Sequence, residues 1–331
     1  MPTVLITPAS LVDQPGEQVD VLRQAGFKVI FPDDSGFTTG RPVAETIRQL
    51  SMCDAVLAGG EICSPDVFAG LPNLKVIARA GVGYDRIDIP AATQNGTVVT
   101  ITPTANHESV AEHAMMLLLA VSKRVLFNDP RTRQGQWPHE QTFPVRGSTV
   151  GIVGLGRIGR SFARRVAAFG VRIVATELNP DPEFVRDYGI EIVDFDQLVT
   201  RCDFISLHCP LNPQTEDLIN EESLARMKPQ SVLINTARGG LVDERALEAA
   251  LANGHLRGAG LDCLREEPAA AGNPLFRFEN VVFTPHIASA DWKSQHDMAV
   301  EAAQCIVRLY QGKWPEAAIV NRELKGWVWE S

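Results

Sequence analysis

Residues 149–159 read TVGIVGLGRIG, an apolar run followed by Gly154, Gly156 and Gly159 in a G-x-G-x-x-G pattern. After a strand and at the start of an amphipathic helix, that spacing suits a pyrophosphate. The first glycine permits the tight turn, the second lets the backbone approach the anion, and the third lets helix and strand pack closely, while the helix N-terminus presents free N–H groups. A second apolar run, VRIVAT, leads to Glu177, 18 residues beyond the last glycine. A carboxylate there accepts hydrogen bonds from both adenosine ribose hydroxyls and repels a 2′-phosphate. Leu178-Asn179-Pro180 follow without an arginine to receive such a phosphate, so the cofactor expected is NAD rather than NADP.

Three polar clusters follow apolar runs further along: NTARGGLVDE at 235–244 with Arg238, GLDCLREEP at 260–268 with Asp262, Glu266 and Glu267, and TPHIASA at 284–290 with His286. Doubly wound sheets place ligands at such strand ends. The residue types suit hydride transfer on a 2-oxo acid. Arginine is a planar, permanently charged fork that grips a carboxylate and polarises a neighbouring carbonyl. Histidine is a proton donor working near neutrality, and a carboxylate beside it orients the ring.

The elements that must position these groups follow a β-α-β-α rhythm. Apolar runs at 3–7, 27–31, 54–58, 74–80 and 97–101 alternate with helix-like stretches, and Gly26, Gly70 and Gly96 stand where helices should end. A second series starts near residue 149, with runs at 171–175, 203–208, 231–236, 257–262 and 281–284. Both series predict parallel strands with helices on two faces, hence two doubly wound α/β units. Between them, SVAEHAMMLLLAVSKR at 109–124 is too apolar to lie alone on a surface; it is expected to link the units and to pack against another subunit. The helix-like stretch 291–311, closed by Gly312, is expected to return to the first domain and make it discontinuous.

Composition narrows the function classes. The 331 residues carry 31 Lys plus Arg against 40 Asp plus Glu, a formal charge of -9, with no basic tract, which argues against nucleic acid as a partner. The longest apolar run, Ala114 to Val121, is far short of the roughly 20 residues that a bilayer span needs, so no membrane is expected. MPTVLITPAS shows neither a basic n-region nor a cleavage site, and the expected location is cytoplasmic. Six scattered cysteines lack metal-ligand spacing. HESVAEH at 107–113 superficially resembles a zinc helix, but its histidines are six apart and fall on different helix faces, so no metal is expected.

Taken in order, ARAGVGYDRID (78–88), SVAEH (109–113), GIVGLGRIGR (151–160), LHCPLNPQT (207–215), INTARGGLVDE (234–244), GLDCLREEP and TPHIASA resemble the D-isomer-specific 2-hydroxyacid dehydrogenase family nearly end to end. The resemblance implies a Rossmann NAD-binding domain at 106–287 inserted into a flavodoxin-like substrate domain made of 1–105 and 288–331. It implies Arg238, Glu267 and His286 as the catalytic trio. Cofactor contacts would fall on Gly154, Gly156, Arg157, Ile158, Gly159, Glu177, Cys209, Pro210, Thr215, Thr236, Ala237, Arg238, Asp262, His286, Ala288 and Ser289. Substrate contacts would fall on Arg79, Gly81, Val82, Gly83 and Arg238, with backbone N–H groups of the 80–84 loop meeting the substrate carboxylate. A homodimer is also implied.

The substrate itself stays open. Ala58-Gly59-Gly60-Glu61 stands where phosphoglycerate-type members often carry an arginine, and Trp137-Pro138-His139 lacks the arginine common after that tryptophan. Both departures argue against a phosphorylated substrate. An alternative reading on the same fold is an interaction protein that responds to NADH, as transcriptional corepressors do.

Overall fold

Short runs of β-branched and aliphatic residues become the strands of two parallel sheets in a computed structural model, which describes residues 1–14, 16–33 and 41–329. The chain divides into two units, one formed by Met1–Asn106 with Asp291–Ser331 and the other by His107–Ala290.

In the first unit, β1 (Thr3–Ile6), β2 (Lys28–Ile30), β3 (Ala55–Ala58), β4 (Val76–Arg79) and β5 (Val98–Thr100) pair in the order β2-β1-β3-β4-β5. All neighbours are parallel, with Leu5 opposite Val56 and Ile77 opposite Val99. Side chains alternate between two cores, as period-two geometry requires when both faces are covered. Val4 and Ile6 pack with Val19 and Leu22 of helix Glu17–Gln24 and with Ala302, Ile306 and Leu309 of helix Trp292–Tyr310. Leu5 and Val56 pack instead with Val67 and Phe68. Helix Trp292–Tyr310, N-capped by Asp291, thus completes the first unit's core, which is why that unit is discontinuous in sequence.

The second unit carries β6 (Thr149–Val153), β7 (Arg172–Thr176), β8 (Glu191–Ile192), β9 (Phe204–Leu207), β10 (Ser231–Asn235), β11 (Leu256–Leu261) and β12 (Val281–Phe283), ordered β12-β11-β10-β9-β6-β7-β8. The order reverses between β6 and β9, the switch point at which doubly wound sheets open a crevice. Helix His107–Ser122 buries Ala111, Ala114, Leu117, Leu118 and Val121 against this sheet. Gly260 admits it, because a Cβ there would lie 2.8 Å from Leu117 Cβ. Most apolar residues of this helix are therefore buried inside their own unit, while Met116 stays 41% exposed. Among the described residues, no helix is long and apolar enough to cross a membrane.

Several local expectations are corrected. Gly70 ends helix Pro65–Ala69 at φ -86, not in the left-handed region; what it provides is room, since a Cβ would lie 2.6 Å from Ile47 Cδ1. The two-residue edge strand β8 had no apolar run to announce it. The second break between units falls after Ala290, because Ala288 is tied into the second unit: its N–H donates to Asp262 Oδ2 (2.9 Å) and its carbonyl accepts from Ser109 Oγ (2.7 Å).

Candidate active site

The glycine-rich turn after β6 has the form an anion cradle requires. Gly154 adopts φ +92, and a Cβ on it would meet Cys209 N and His208 backbone atoms at 2.9 Å. Gly159 packs so closely that a Cβ would come within 2.1 Å of Gly154 O. Gly156, the N-cap of helix Arg157–Ala167, faces open space at φ -70 and leaves the backbone approachable. The three glycines therefore serve different ends, turn, approach and packing, and fit a dinucleotide pyrophosphate. Arg157 is exposed at the first helical position and Ile158 is half-buried.

Glu177, just beyond β7, points back at this turn. Its Oε2 accepts from Leu155 N (2.7 Å) and its Oε1 from Asn179 N (3.1 Å), which fixes the carboxylate beside the cradle. Across the switch point, Cys209 and the exposed Pro210 open a loop that Thr215 closes: Thr215 Oγ1 donates to Pro210 O (2.7 Å) and accepts from Asn212 N (2.9 Å). Burial pushes the Cys209 thiol up to about 11, so it is no thiolate nucleophile near neutral pH.

Arg238, Glu267 and His286 leave the carboxyl ends of β10, β11 and β12. Asn235 fixes the first turn, accepting from Ala237 N at Oδ1 (3.0 Å) and donating from Nδ2 to Arg238 O (2.8 Å). Arg238 is half-buried and its Nη1 donates to Ala237 O (2.7 Å). Behind it, Gly239 packs so tightly on the next loop that a Cβ would lie 2.0 Å from Leu264 C, which fixes Arg238 relative to the loop carrying Glu267. Leu264 N donates to Glu267 Oε1 (3.2 Å), and His286 Nδ1 lies 2.9 Å from Glu267 Oε1 and 2.8 Å from Oε2. His286 sits at φ +54, a conformation uncommon for a residue with a Cβ and one that persists only where surroundings enforce it.

The enforcement comes from Asp262. Its carbonyl accepts from His286 N (2.7 Å), and its carboxylate accepts from Thr284 Oγ1 (2.6 Å), Ile287 N (2.9 Å) and Ala288 N (2.9 Å). His113 Nε2 lies 2.8 Å from Thr284 Oγ1 and 3.4 Å from Asp262 Oδ1. Burial tends to raise the Asp262 carboxyl, but the His113 and Thr284 side chains with the Ile287 and Ala288 N–H groups outweigh it and hold the group below the usual range. The resemblance implies Asp262 as a cofactor contact; in the structure its carboxylate holds the His286 loop. His113 and Ser109 were not expected at all, and their only sequence signal is the SVAEH motif. Thr236 is buried and its Oγ1 has no partner among the described residues, while Ala288 is buried and Ser289 half-buried. Those same residues include no group of side chains that could hold a metal ion.

In the first unit, Arg79 ends β4 and donates from Nη1 to Ala80 O (2.6 Å). Gly81, at φ +148, is already engaged: its N–H meets Thr102 Oγ1 (2.8 Å) and Arg79 O (2.9 Å). The expectation that Gly81 offers its N–H to a ligand is therefore corrected, whereas the N–H groups of Val82 and Gly83 have no partner among the described residues.

Residues 115–288 match the family model for the D-isomer specific 2-hydroxyacid dehydrogenase NAD binding domain. A glyoxylate reductase of Thermococcus onnurineus is 37% identical over 98% of this chain and 97% of that protein. The D-3-phosphoglycerate dehydrogenase of Mycobacterium tuberculosis is 38% identical over 99% of this chain, which spans 62% of that protein's length. Among solved structures, a Thermus thermophilus protein is 35% identical, covers 96% of this chain and 100% of its own, and superposes with a TM-score of 0.84. A Staphylococcus aureus formate dehydrogenase in complex with NAD is 28% identical, with 97% and 99% covered and a TM-score of 0.83. With its cradle, its strand orders and these likenesses together, the chain belongs to the D-isomer-specific 2-hydroxyacid dehydrogenase family.

Proposed function

We propose that the protein is an NAD-dependent dehydrogenase that interconverts a D-2-hydroxy acid and its 2-oxo acid. The observation that carries this reading is the His286–Glu267 pair. Glu267 engages Nδ1 with both oxygens, which leaves Nε2 as the atom that exchanges a proton with the substrate. When bound, the dinucleotide supplies or accepts the hydride. Gly154, Gly156, Arg157, Ile158 and Gly159 hold its pyrophosphate and Glu177 its ribose. The loop residues Cys209, Pro210, Thr215, Thr236, Ala237, Ala288 and Ser289 line its remaining length.

Arg238 grips the substrate carboxylate and polarises the adjacent carbonyl. In reduction, protonated His286 gives its Nε2 proton to the carbonyl oxygen as the carbon receives the hydride. In oxidation, neutral His286 takes the hydroxyl proton. Glu267 holds the ring in place through Nδ1 throughout. Asp262, through the backbone of 286–288, acts as a positioning residue.

The test is NADH oxidation, followed by absorbance, against glyoxylate, hydroxypyruvate, pyruvate, branched-chain oxo acids and 3-phosphohydroxypyruvate, with NADPH in parallel. Turnover with at least one acid and a preference for NADH is expected. NADH binding without turnover on any of them would overturn the reading and favour the NADH-responsive interaction protein. We further propose a cytoplasmic homodimer, which light scattering on the purified chain tests for its oligomeric part.

A further inference from the structure

The HESVAEH segment at 107–113 opens helix His107–Ser122, and the proposed chemistry leaves its polar residues without a role. In a helix, residues four apart share a face, and successive residues are turned by about 100°. Glu108 and Glu112 therefore form one pair, and Ser109 and His113 another on the neighbouring face. The first pair meets helix Arg157–Ala167, whose N-terminus belongs to the glycine cradle. Glu108 Oε2 accepts from Ser161 Oγ (2.8 Å) and lies 2.7 Å from Arg165 Nη1, and Arg165 Nη2 donates to Glu112 Oε1 (2.8 Å).

The second pair meets the loop that carries His286. Ser109 is buried and its Oγ donates to Ala288 O (2.7 Å), while His113 Nε2 lies 2.8 Å from Thr284 Oγ1. The loop is thus held two residues before His286 and two after it. Thr284 has one hydroxyl proton, and that proton goes to Asp262 Oδ1 at 2.6 Å. Its Oγ1 therefore accepts from His113, whose Nε2 carries the proton. Ala114, Leu117 and Leu118 of the same helix are buried in the core, so both pairs sit on one anchored element.

We propose that this segment is a bridge that sets the His286 loop relative to the cofactor cradle, with Ser109 and His113 as positioning residues for proton transfer. The part in proton transfer rests on the dehydrogenase reading; the holding of the loop does not. Small displacements matter at such a site, because a misplacement of about 1 Å costs about a hundredfold in rate.

Two measurements on the full chain test this. The first is steady-state kinetics with NADH and the 2-oxo acid turned over fastest, in wild type, His113→Leu and His113→Gln, whose amide supplies an N–H in place of the Nε2 donor. His113→Leu should lower kcat by about tenfold or more, with KM and NADH affinity moving by less than about threefold, and His113→Gln should recover most of the loss. The second is hydrogen–deuterium exchange without cofactor, read by mass spectrometry on peptides covering 284–290. Exchange should be about tenfold or more faster in the leucine variant and return toward wild type in the glutamine variant. Should the leucine variant not fold, Ser109→Ala, which removes a single hydroxyl, should bring the same fall in kcat and the same faster exchange; no change in either overturns the role. Unchanged kcat or unchanged exchange in His113→Leu, or a loss that His113→Gln does not mend, overturns the positioning role and leaves the dehydrogenase standing. If the wild type turns over none of the acids, the dehydrogenase reading falls and exchange alone decides: faster exchange mended by glutamine supports the bridge, and equal exchange overturns it.

Discussion

His286 is held by Glu267 from one side of its ring only. Nδ1 lies within 2.9 Å of both carboxylate oxygens, while the backbone at φ +54 is anchored through Asp262 O and turns Nε2 away from the protein's own hydrogen bonds. Here Glu267 orients one nitrogen and leaves Nε2 to the acid–base role proposed above.

It follows that replacing either partner should strike turnover and spare the cofactor. His286→Ala is expected to lower kcat by about a hundredfold or more, the usual worth of a positioned acid or base. Glu267→Gln should lower it less, because the amide oxygen still accepts one hydrogen bond and keeps the ring roughly in place. NADH affinity, read by fluorescence quenching, should move by less than about threefold in both. An unchanged kcat in His286→Ala removes it from the acid–base role.

Glu177 ties the cradle to its selectivity. Its carboxylate both accepts from Leu155 N and lies where a ribose would be read. Glu177→Ala should weaken NADH by about tenfold or more, the worth of hydrogen bonds to a charged acceptor, and should narrow the preference against NADPH. A variant that weakens both dinucleotides equally would show that the carboxylate only braces the turn.

The three glycines can be separated by experiment, since a Cβ meets different surroundings at each. Gly159→Ala puts a methyl against a backbone carbonyl that cannot yield, and should cost at least about 3 kcal/mol in stability. Gly156→Ala meets nothing at a φ that alanine tolerates, so its unfolding free energy should stay within about 0.5 kcal/mol of wild type. Its Cβ would nonetheless occupy the space left for the pyrophosphate, and NADH affinity should fall by about tenfold or more. Equal NADH affinity in Gly156→Ala and wild type would place the pyrophosphate elsewhere.

These contrasts show what a linear sequence carries. Strands β3 and β10 were legible because runs such as AVLA and SVLIN are buried on both faces and read as unbroken apolar stretches. The glycine turn was legible because each position has a local steric demand. The Gly81 N–H was not, because Thr102, which takes it up, lies 21 residues away and reaches it only once β4 and β5 have paired. Asp262 was implied as a cofactor contact by the resemblance alone. That its carboxylate holds residues 284–288 depends on β11 and β12 lying side by side. Glu61 stood out only as a departure from an arginine, and nothing in the order of residues tells that the turn after β3 folds it inward.

Two buried groups should shape the pH dependence of stability in opposite directions. The His208 imidazole is desolvated against Phe162, with Nε2 2.8 Å from Ser206 Oγ and Nδ1 enclosed without a partner among the described residues, and desolvation pushes it down to about 3. The unfolded chain therefore binds this proton first as pH falls. The contribution is complete above about 6.5, the value of a free imidazole, and is lost toward 3, by roughly a tenfold change in the folding equilibrium per pH unit. Glu61 runs the other way. Its folded value is raised by burial against the opposing pull of Thr7 and Arg79, so its contribution is complete below the ordinary carboxyl value of about 4.3 and fades as pH rises through the raised one. Denaturant titrations of wild type, His208→Gln and Glu61→Gln across this range should separate the two limbs. His208→Gln is expected to flatten the acid side and Glu61→Gln the neutral side. Parallel curves for wild type and His208→Gln between pH 4 and 6 would mean that His208 is protonated in the folded protein, and that its enclosure beside Phe162 opens to water as the pH falls.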